Sequence, residues 1–304
     1  MSSISIVIPN YNHGRYLREV FHSIQTQSRQ PLEVIVVDDA STDNSIEILR
    51  AIQQEYPKLR IIQNEQNQGP FLSLIKGAKV AQGTFVTQTP ADDLLAPGTI
   101  EAWHQIIDVR PDVGLVTGPA YEFEDVQPYQ FRPTHFSPFS SPQVVEKEDV
   151  FDFHQKTLFF VLSLATAYRK DLFLKYGFER RFRSTADQYL NSQIALDSSI
   201  GIVPQRIAFR RSLPNSFGGQ ERKSYQIRIE IFRAHLDRIF YEEPPALRKP
   251  LSHLTIYMFG GYSLLLTIAV TPRHWSRFLP ALYYTLLRKY RVKQLRKQGT
   301  HLLF

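Results

Sequence analysis

Cysteine is absent from the 304 residues. No disulfide framework and no thiolate metal site can exist, so any metal must be held by carboxylates, histidines or phosphate oxygens. His13, His104 and His154 lack HxxxH or HxH spacing and read as surface or packing residues rather than ligands. The chain opens without a basic stretch followed by an apolar one. Residues 3–9 instead read as a strand, and the chain is expected to be cytoplasmic. The turn after that strand, Asn10-Tyr11-Asn12-His13-Gly14, has no G-x-G-x-x-G pattern, which argues against a nicotinamide-dependent oxidoreductase. It also lacks the Gly-rich, basic phosphate loop that a nucleotidyltransferase would show.

Acidic residues are missing from Pro244 to Phe304, where ten Lys or Arg stand. Set against a net charge of +7 for the whole chain, this leaves the first 243 residues with a net charge of −3. The excess of basic residues is therefore a property of the tail and not a general nucleic-acid signal. No nucleic-acid motif appears, so no nucleic-acid partner is expected.

Before the tail, short apolar runs alternate with amphipathic stretches, the βαβ signature of a mainly parallel α/β sheet flanked by helices. Strands are expected at 3–9, 32–38, 59–63, 84–89 and 113–117, with helices at 14–27, 43–55, 70–81 and 97–109 between them. Ser41 or Thr42 can cap the second helix, and Pro97 suits the first turn of the fourth. Residues 120–142 carry Pro, Phe, Gln and Ser without a regular period and read as a long loop over one face, of the kind that is more often functional than idle. A strand at 162–168, helices at 170–176 and 186–196, and a last strand at 200–204 follow. There is no internal repeat and no low-complexity tract.

Three acidic groups fall where strands end or helices begin, and ligands of open α/β folds bind at the C-terminal edge of the sheet. In Val36-Val37-Asp38-Asp39-Ala40-Ser41-Thr42-Asp43 a strand delivers two carboxylates into a loop. A carboxylate there can accept from a nucleobase imide or a ribose hydroxyl, whereas Asp43 reads better as a helix-start residue. Asp92-Asp93 can share a divalent cation with phosphate oxygens, or simply favour the start of the next helix. Asp187, at the start of its helix, can take a proton from an acceptor hydroxyl, or be an ordinary first-turn acid. Arg180, Arg181 and Arg183, and likewise Arg210 and Arg211, can meet phosphates or form solvated basic loops.

Taken together, Ile8-Pro9-Asn10-Tyr11-Asn12, Val37-Asp38-Asp39-Ala40-Ser41-Thr42-Asp43, Asn67-Gln68-Gly69, Ala91-Asp92-Asp93 and Ala186-Asp187 resemble, in order and spacing, the family 2 glycosyltransferases. The likeness runs over about 3–211. It implies a GT-A, Rossmann-like fold and inverting transfer of a sugar from a nucleoside diphosphate, usually a UDP-sugar, with Mn2+ or Mg2+ as cofactor. It further implies that Pro9, Tyr11 and Asp39 hold the nucleobase, that Asn67, Gly69 and Asp92 belong to the nucleotide site, that Asp92 and Asp93 hold the metal, and that Asp187 is the catalytic base. One position departs from the family pattern: Pro90 stands where many relatives carry the first Asp of Asp-Xaa-Asp-Asp. That departure motivates the alternative of a catalytically inactive nucleotide-sugar-binding module in a membrane-associated assembly.

The chain is expected to divide into a catalytic domain, 1–243, and a helical, basic, membrane-associated segment, 244–304. Residues 250–272 hold no Lys, Arg, Asp or Glu. At 23 residues the run is long enough to span a bilayer, but Gly260, Gly261, Pro250 and Pro272 favour a helix lying in or against the interface over a spanning one. A helical hairpin packed on the catalytic domain is the other reading. Arg288, Lys289, Arg291, Lys293, Arg296 and Lys297 suit anionic headgroups, with Trp275, Tyr283 and Tyr284 at headgroup depth. The expected setting is peripheral, at the inner face of the cell membrane, with a glycan or lipid-linked acceptor.

Overall fold

The first strand, β1 (Ile4–Asn10), has both faces covered, as in a sheet with helices on its two sides. The computed structural model describes residues 2–133, 137–157, 161, 163–213, 221, 224–257 and 261–297. Strands β2 (Glu33–Asp38), β3 (Leu59–Gln63) and β4 (Phe85–Gln88) join β1 in parallel, alternating with α1 (Gly14–Gln25), α2 (Ser45–Glu55) and α3 (Pro70–Val80). Then come β5 (Leu94–Leu95), α4 (Thr99–Ile107), β6 (Leu115–Thr117), β7 (Ala120–Glu124), β8 (Arg132–Pro133), β9 (Gln143–Val145) and α5 (Val150–Thr157). After these follow β10 (Thr166–Arg169), α6 (Lys170–Tyr176), α7 (Ala186–Asp197), β11 (Ile200–Ile202) and β12 (Ala208–Ser212).

Among the described residues the main sheet has eight strands in the order β3-β2-β1-β4-β10-β6-β11-β9. It is mixed: β10 runs against both β4 and β6, and β9 runs against β11 at the edge. Side-chain alternation divides its core in two. Val34 and Val36 join Leu17, Phe21 and Trp103 on one face, whereas Ile35 and Val37 join Ala78, Tyr168 and Ile194 on the other. Helix α3 lies close enough to the sheet that a Cβ on Gly77 would stand 2.4 Å from a methyl of Val7.

The chain moves outward from β1 through β2 to β3, then crosses back to place β4 on the other side of β1. The C-terminal ends of β1 and β4 thus flank the point where the winding reverses, where a crevice opens in folds of this type.

The expected strands and helices of the first 117 residues are present with ends shifted by a few residues. The fourth helix begins at Thr99 behind a left-handed Gly98, so Pro97 lies before its first turn. Neither Ser41 nor Thr42 caps α2; Asp43 accepts from the Ser45 N–H instead (3.0 Å). Residues 120–142 are not simply a loop, because β7 and β8 lie within them. Together with β5 and β12 they form a second sheet, ordered β5-β12-β7-β8. The expected strand 162–168 begins at Thr166 after a tight 3-10 turn, Ser163–Ala165, while Leu162 lies outside the described residues.

The C-terminal part is helical: α8 (Tyr225–Asp237), α9 (Pro245–Ser252), α10 (Gly261–Ala269) and α11 (Phe278–Lys297). A third core cluster joins Leu251, Leu264, Ile268 and Ala281 to Phe182, Ala186 and Tyr189 of the catalytic part. Leu251, Leu264 and Ile268 of the run 250–272 pack against α7 and α8, in the manner of a helical hairpin on the catalytic domain. No helix among the described residues is long and apolar enough to cross a membrane.

Candidate functional site

Pairing of Asn10 with Asp38 in the β1–β2 register sets their side chains side by side. The Asn10 amide donates to Asp38 Oδ1 (2.7 Å), which also accepts from the Ser41 hydroxyl (2.6 Å). Asp38 is therefore spent on shaping the loop. Asn12, at φ 56°, accepts from the Thr42 N–H at 2.7 Å. Asp43 ties the same two loops from below. Its carboxylate accepts from Gly14 N–H (2.9 Å) and Ser45 N–H (3.0 Å). Burial pushes this carboxyl up, but the bonds from Ser45 and Gly14 outweigh it and hold the group below the ordinary range. The expectation that Asp43 is structural holds. A Cβ on Gly14 would stand 2.7 Å from Asn44 Oδ1 and 3.0 Å from Asp43 Oδ2, so a side chain here would press on the bonds that tie the two loops.

Asp39 is placed differently. Its Oδ1 accepts from Asn64 Nδ2 (2.7 Å) and Gln68 N–H (3.0 Å), and its Oδ2 from Gly69 N–H (2.7 Å). A carboxylate offers about four acceptor positions, so three bonds hold Asp39 rigid and leave one position on Oδ2 for a further N–H. The Gly69 N–H also donates to Asn67 Oδ1 (3.0 Å), and Gly69 sits at φ 89° with open space where a Cβ would be. Tyr11, 44% exposed, stands on the adjoining loop, and Pro9 at the end of β1 is partly buried. Asn64, at the end of β3, escapes a search for charge. Its signal is positional, a polar residue just past the end of β3, and its amide oxygen accepts from Lys76 Nζ (2.6 Å).

Asp92 and Asp93 diverge. Asp93 is buried and accepts from the Arg211 N–H of β12 (2.7 Å); burial and the neighbouring Asp92 push its carboxyl well above the ordinary range. Asp92 lies beside His13, with Nδ1 3.8 Å from Oδ1, so the loops after β1 and β4 meet across the switch point. Burial pushes the Asp92 carboxyl up, against the pull of His13. His13 is thus a neighbour of the site, whereas His104 and His154 are buried, as a packing role requires. Among the described residues no three or more His, Asp or Glu converge as a metal cage. The donor set fits a cation that keeps most of its shell for substrate phosphates, as Mg2+ commonly does, with Asp92 as the available carboxylate.

Arg211 is fully buried. Its Nε donates to the Asp92 carbonyl (2.9 Å), its Nη atoms pair with Glu19 (2.5 Å) and Asp125 and reach the Tyr129 hydroxyl (3.0 Å), and the guanidinium lies over the Tyr16 and Phe123 rings. Arg210 pairs with Glu122 (2.5 Å). Arg181 is bidentate on Glu242 (2.7 and 2.6 Å), and Arg183 faces Glu230 at 3.3 Å. Carboxylates engage all four guanidinium groups.

Asp187 opens α7, its Oδ1 accepting from the Gln188 N–H (2.8 Å). Burial raises its carboxyl, with the Ser163 hydroxyl and the Gln188 N–H opposing. A relay stands behind it: Tyr168 donates to Asn191 (2.7 Å), and Asn191 Nδ2 donates to Ser163 Oγ (3.0 Å). The Ser163 turn touches β4, β12 and α7, linking Asp187 to the strand that carries the Asp92 loop. Its spacing gave no hint of this relay.

The model of Glycosyl transferase family 2 matches residues 5–177. Over 122 residues the chain is 35% identical to Glycosyltransferase GlyG of Streptococcus pneumoniae serotype 4 (strain ATCC BAA-334 / TIGR4), a match covering 40% of each protein. Over 104 residues it is 33% identical to the Poly(ribitol-phosphate) beta-glucosyltransferase of Bacillus spizizenii (strain ATCC 23059 / NRRL B-14472 / W23), covering 33% of this chain and 16% of that one. The chain thus matches less than half the length of either relative. Among solved structures, S. aureus TarS 1-349 in complex with UDP-GlcNAc aligns with a TM-score of 0.66 at 18% identity, over 99% of this chain and 93% of that one. The mannosyltransferase PcManGT from Pyrobaculum calidifontis, in complex with GDP-Man and Mn2+, aligns at 0.61 and 17% identity, over 96% and 85%. At such identities these two show a shared mixed α/β GT-A fold.

Proposed function

Because the chain belongs to glycosyl transferase family 2, with more than half of its length matched, we propose that it moves a sugar from a nucleoside-diphosphate sugar, UDP-linked by preference, onto a hydroxyl of a lipid-linked or surface-polysaccharide acceptor, with inversion. The observation that carries this reading is the rigid Asp39, held by three bonds with one acceptor position left, beside the exposed Tyr11 at the sheet's switch point. That position suits a pyrimidine imide N–H, with Tyr11 and Pro9 against the base and Asn67 and Gly69 shaping the pocket beside it. Asp187, raised by burial, takes the acceptor proton as the hydroxyl attacks the anomeric carbon and the nucleoside diphosphate departs. A single displacement of this kind requires no protein nucleophile and inverts the anomeric centre. Asp92, with Asp93 behind it, would hold a Mn2+ or Mg2+ ion, which when bound supplies positive charge to the leaving diphosphate. Residues 1–243 form the catalytic unit in this proposal. The basic segment 244–304 holds it against the inner, anionic face of the cell membrane, where such an acceptor would be presented.

A second reading, a nucleotide-sugar-binding module without turnover, is favoured by Pro90 and by the engagement of Asp93 with β12. One screen separates the two: thermal unfolding of the full chain with UDP, GDP and dTDP and their sugars, with and without Mn2+, followed by product analysis. A ligand at a hundredfold excess over its dissociation constant adds about 2.7 kcal/mol. We expect a shift with one nucleotide, abolished by Asp39→Ala, and release of that nucleoside diphosphate when acceptor lipid is added. A shift without release under any acceptor supports the module; no shift from folded protein overturns both.

A further inference from the structure

Helix α11 is built inside out. The residues it turns inward, Ala281 and Thr285, are small and buried, while Leu279 and Leu286 are 74% and 57% exposed. Tyr283 and Tyr290 are exposed as well. Steps of four, three and four residues from 279 to 290 put all four on one helical face. Trp275, just before the helix, is 61% exposed, with its indole N–H tied to the Ala269 carbonyl (3.0 Å). Single exposed apolar residues need no explanation, but a continuous stripe on a helix whose other side is buried does.

The chemistry around the stripe selects its occupant. From Pro244 onward there are ten basic residues and no acidic one. Lys293, exposed on α11, prolongs the apolar stripe with positive charge, and the exposed Lys289 flanks it. A second copy of the chain would bring the same excess of positive charge face to face, which opposes self-association. Trp and Tyr beside Leu, flanked by Lys, is instead the composition that settles at the boundary between headgroups and acyl chains.

We propose that this face of α11, led by Trp275, docks on an anionic lipid surface, with Leu279, Tyr283, Leu286 and Tyr290 entering the headgroup layer and the lysines meeting lipid phosphates. The inference rests on the membrane association put forward above, but it assigns the docking to α11 and not to the run 250–272, of which Leu251, Leu264 and Ile268 are taken up in the core.

The test is flotation of the full chain with vesicles of phosphatidylcholine alone and of phosphatidylcholine with phosphatidylglycerol, for wild type and for Leu279→Glu/Leu286→Glu. Both positions are exposed, so the variant's melting temperature should match wild type. We expect wild type to float with the anionic vesicles at least about tenfold more than with neutral ones, as a cluster of basic residues contributing at a charged surface requires. The double variant should remain at the bottom. Flotation of the variant alongside wild type would overturn the assignment to α11 while leaving membrane association in place. Failure of wild type to bind either vesicle would overturn both. Wild type that ignores vesicles but elutes as a dimer, with the variant a monomer, would make the stripe a protein interface and overturn the proposal.

Discussion

As the proposed base, Asp187 carries opposite consequences for turnover and for stability. Its carboxyl titrates higher in the folded chain than its ordinary value of 3.8 because burial disfavours the charge. As pH rises from 3.8, the unfolded chain gives up this proton before the folded one does, so the group subtracts stability through that window and remains a net cost at neutral pH. Asp187→Asn should therefore raise the melting temperature at pH 7 in calorimetry while lowering kcat by about 10²- to 10⁴-fold. Ser163 offers a finer test. Its hydroxyl bond lowers the Asp187 pKa, so Ser163→Ala should raise it further. A base must be deprotonated to work, and the acid limb of the kcat/KM profile should accordingly move to higher pH while the alkaline plateau is kept. A purely structural role for Ser163 would lower the plateau and leave the limb in place.

At the scale of elements, the buried Arg211 joins α1 through Glu19, the segment after β7 through Asp125, and the Asp92 turn through its carbonyl. Arg211→Met would leave two carboxylates without their cation and is expected to cost about 3 kcal/mol in urea unfolding. Arg211→Lys should recover less than half of that, because an ammonium cannot serve three directions at once as a planar fork does. Gly77→Val tests the closeness of α3 to the sheet, and the overlap with Val7 is expected to cost at least about 1–3 kcal/mol. These elements also mark what the sequence could disclose. Strands β1 to β4 and their helices were legible, since each is a run of apolar residues of a length and period that leaves one assignment. The second sheet was not. Its strands are two to five residues long, and β7 finds its partner β12 nearly ninety positions on, beyond the reach of any local pattern. The same holds within the site. Asp39 and Asp187 stood out as carboxylates at loop and helix starts, but Asn64, Ser163 and Arg211 matter through partners brought near only by the fold. The divergence of Asp92 and Asp93 is equally invisible until β12 is in place to claim one of them.

Across the whole molecule, three clusters of buried side chains are arranged so that α7 lies between two of them. One side of it, through Leu190 and Ile194, belongs to the sheet, while Ala186 and Tyr189 face the C-terminal helices. Tyr189 donates to Glu243 (2.8 Å), and Ser192 Oγ reaches the Leu254 carbonyl at 3.4 Å. Through Leu254 and the third cluster the segment proposed to rest on the membrane thus packs against the helix that positions the proposed base, with Glu243 just before it adding a bond.

That third cluster makes the tail indispensable in a practical sense. A fragment ended at residue 243 would strip Leu251, Leu264, Ile268 and Ala281 from the cluster around Phe182, Ala186 and Tyr189 and leave a greasy hollow behind the proposed base. Such a fragment should precipitate during expression or elute as aggregate, even though every residue matched by the family lies within it.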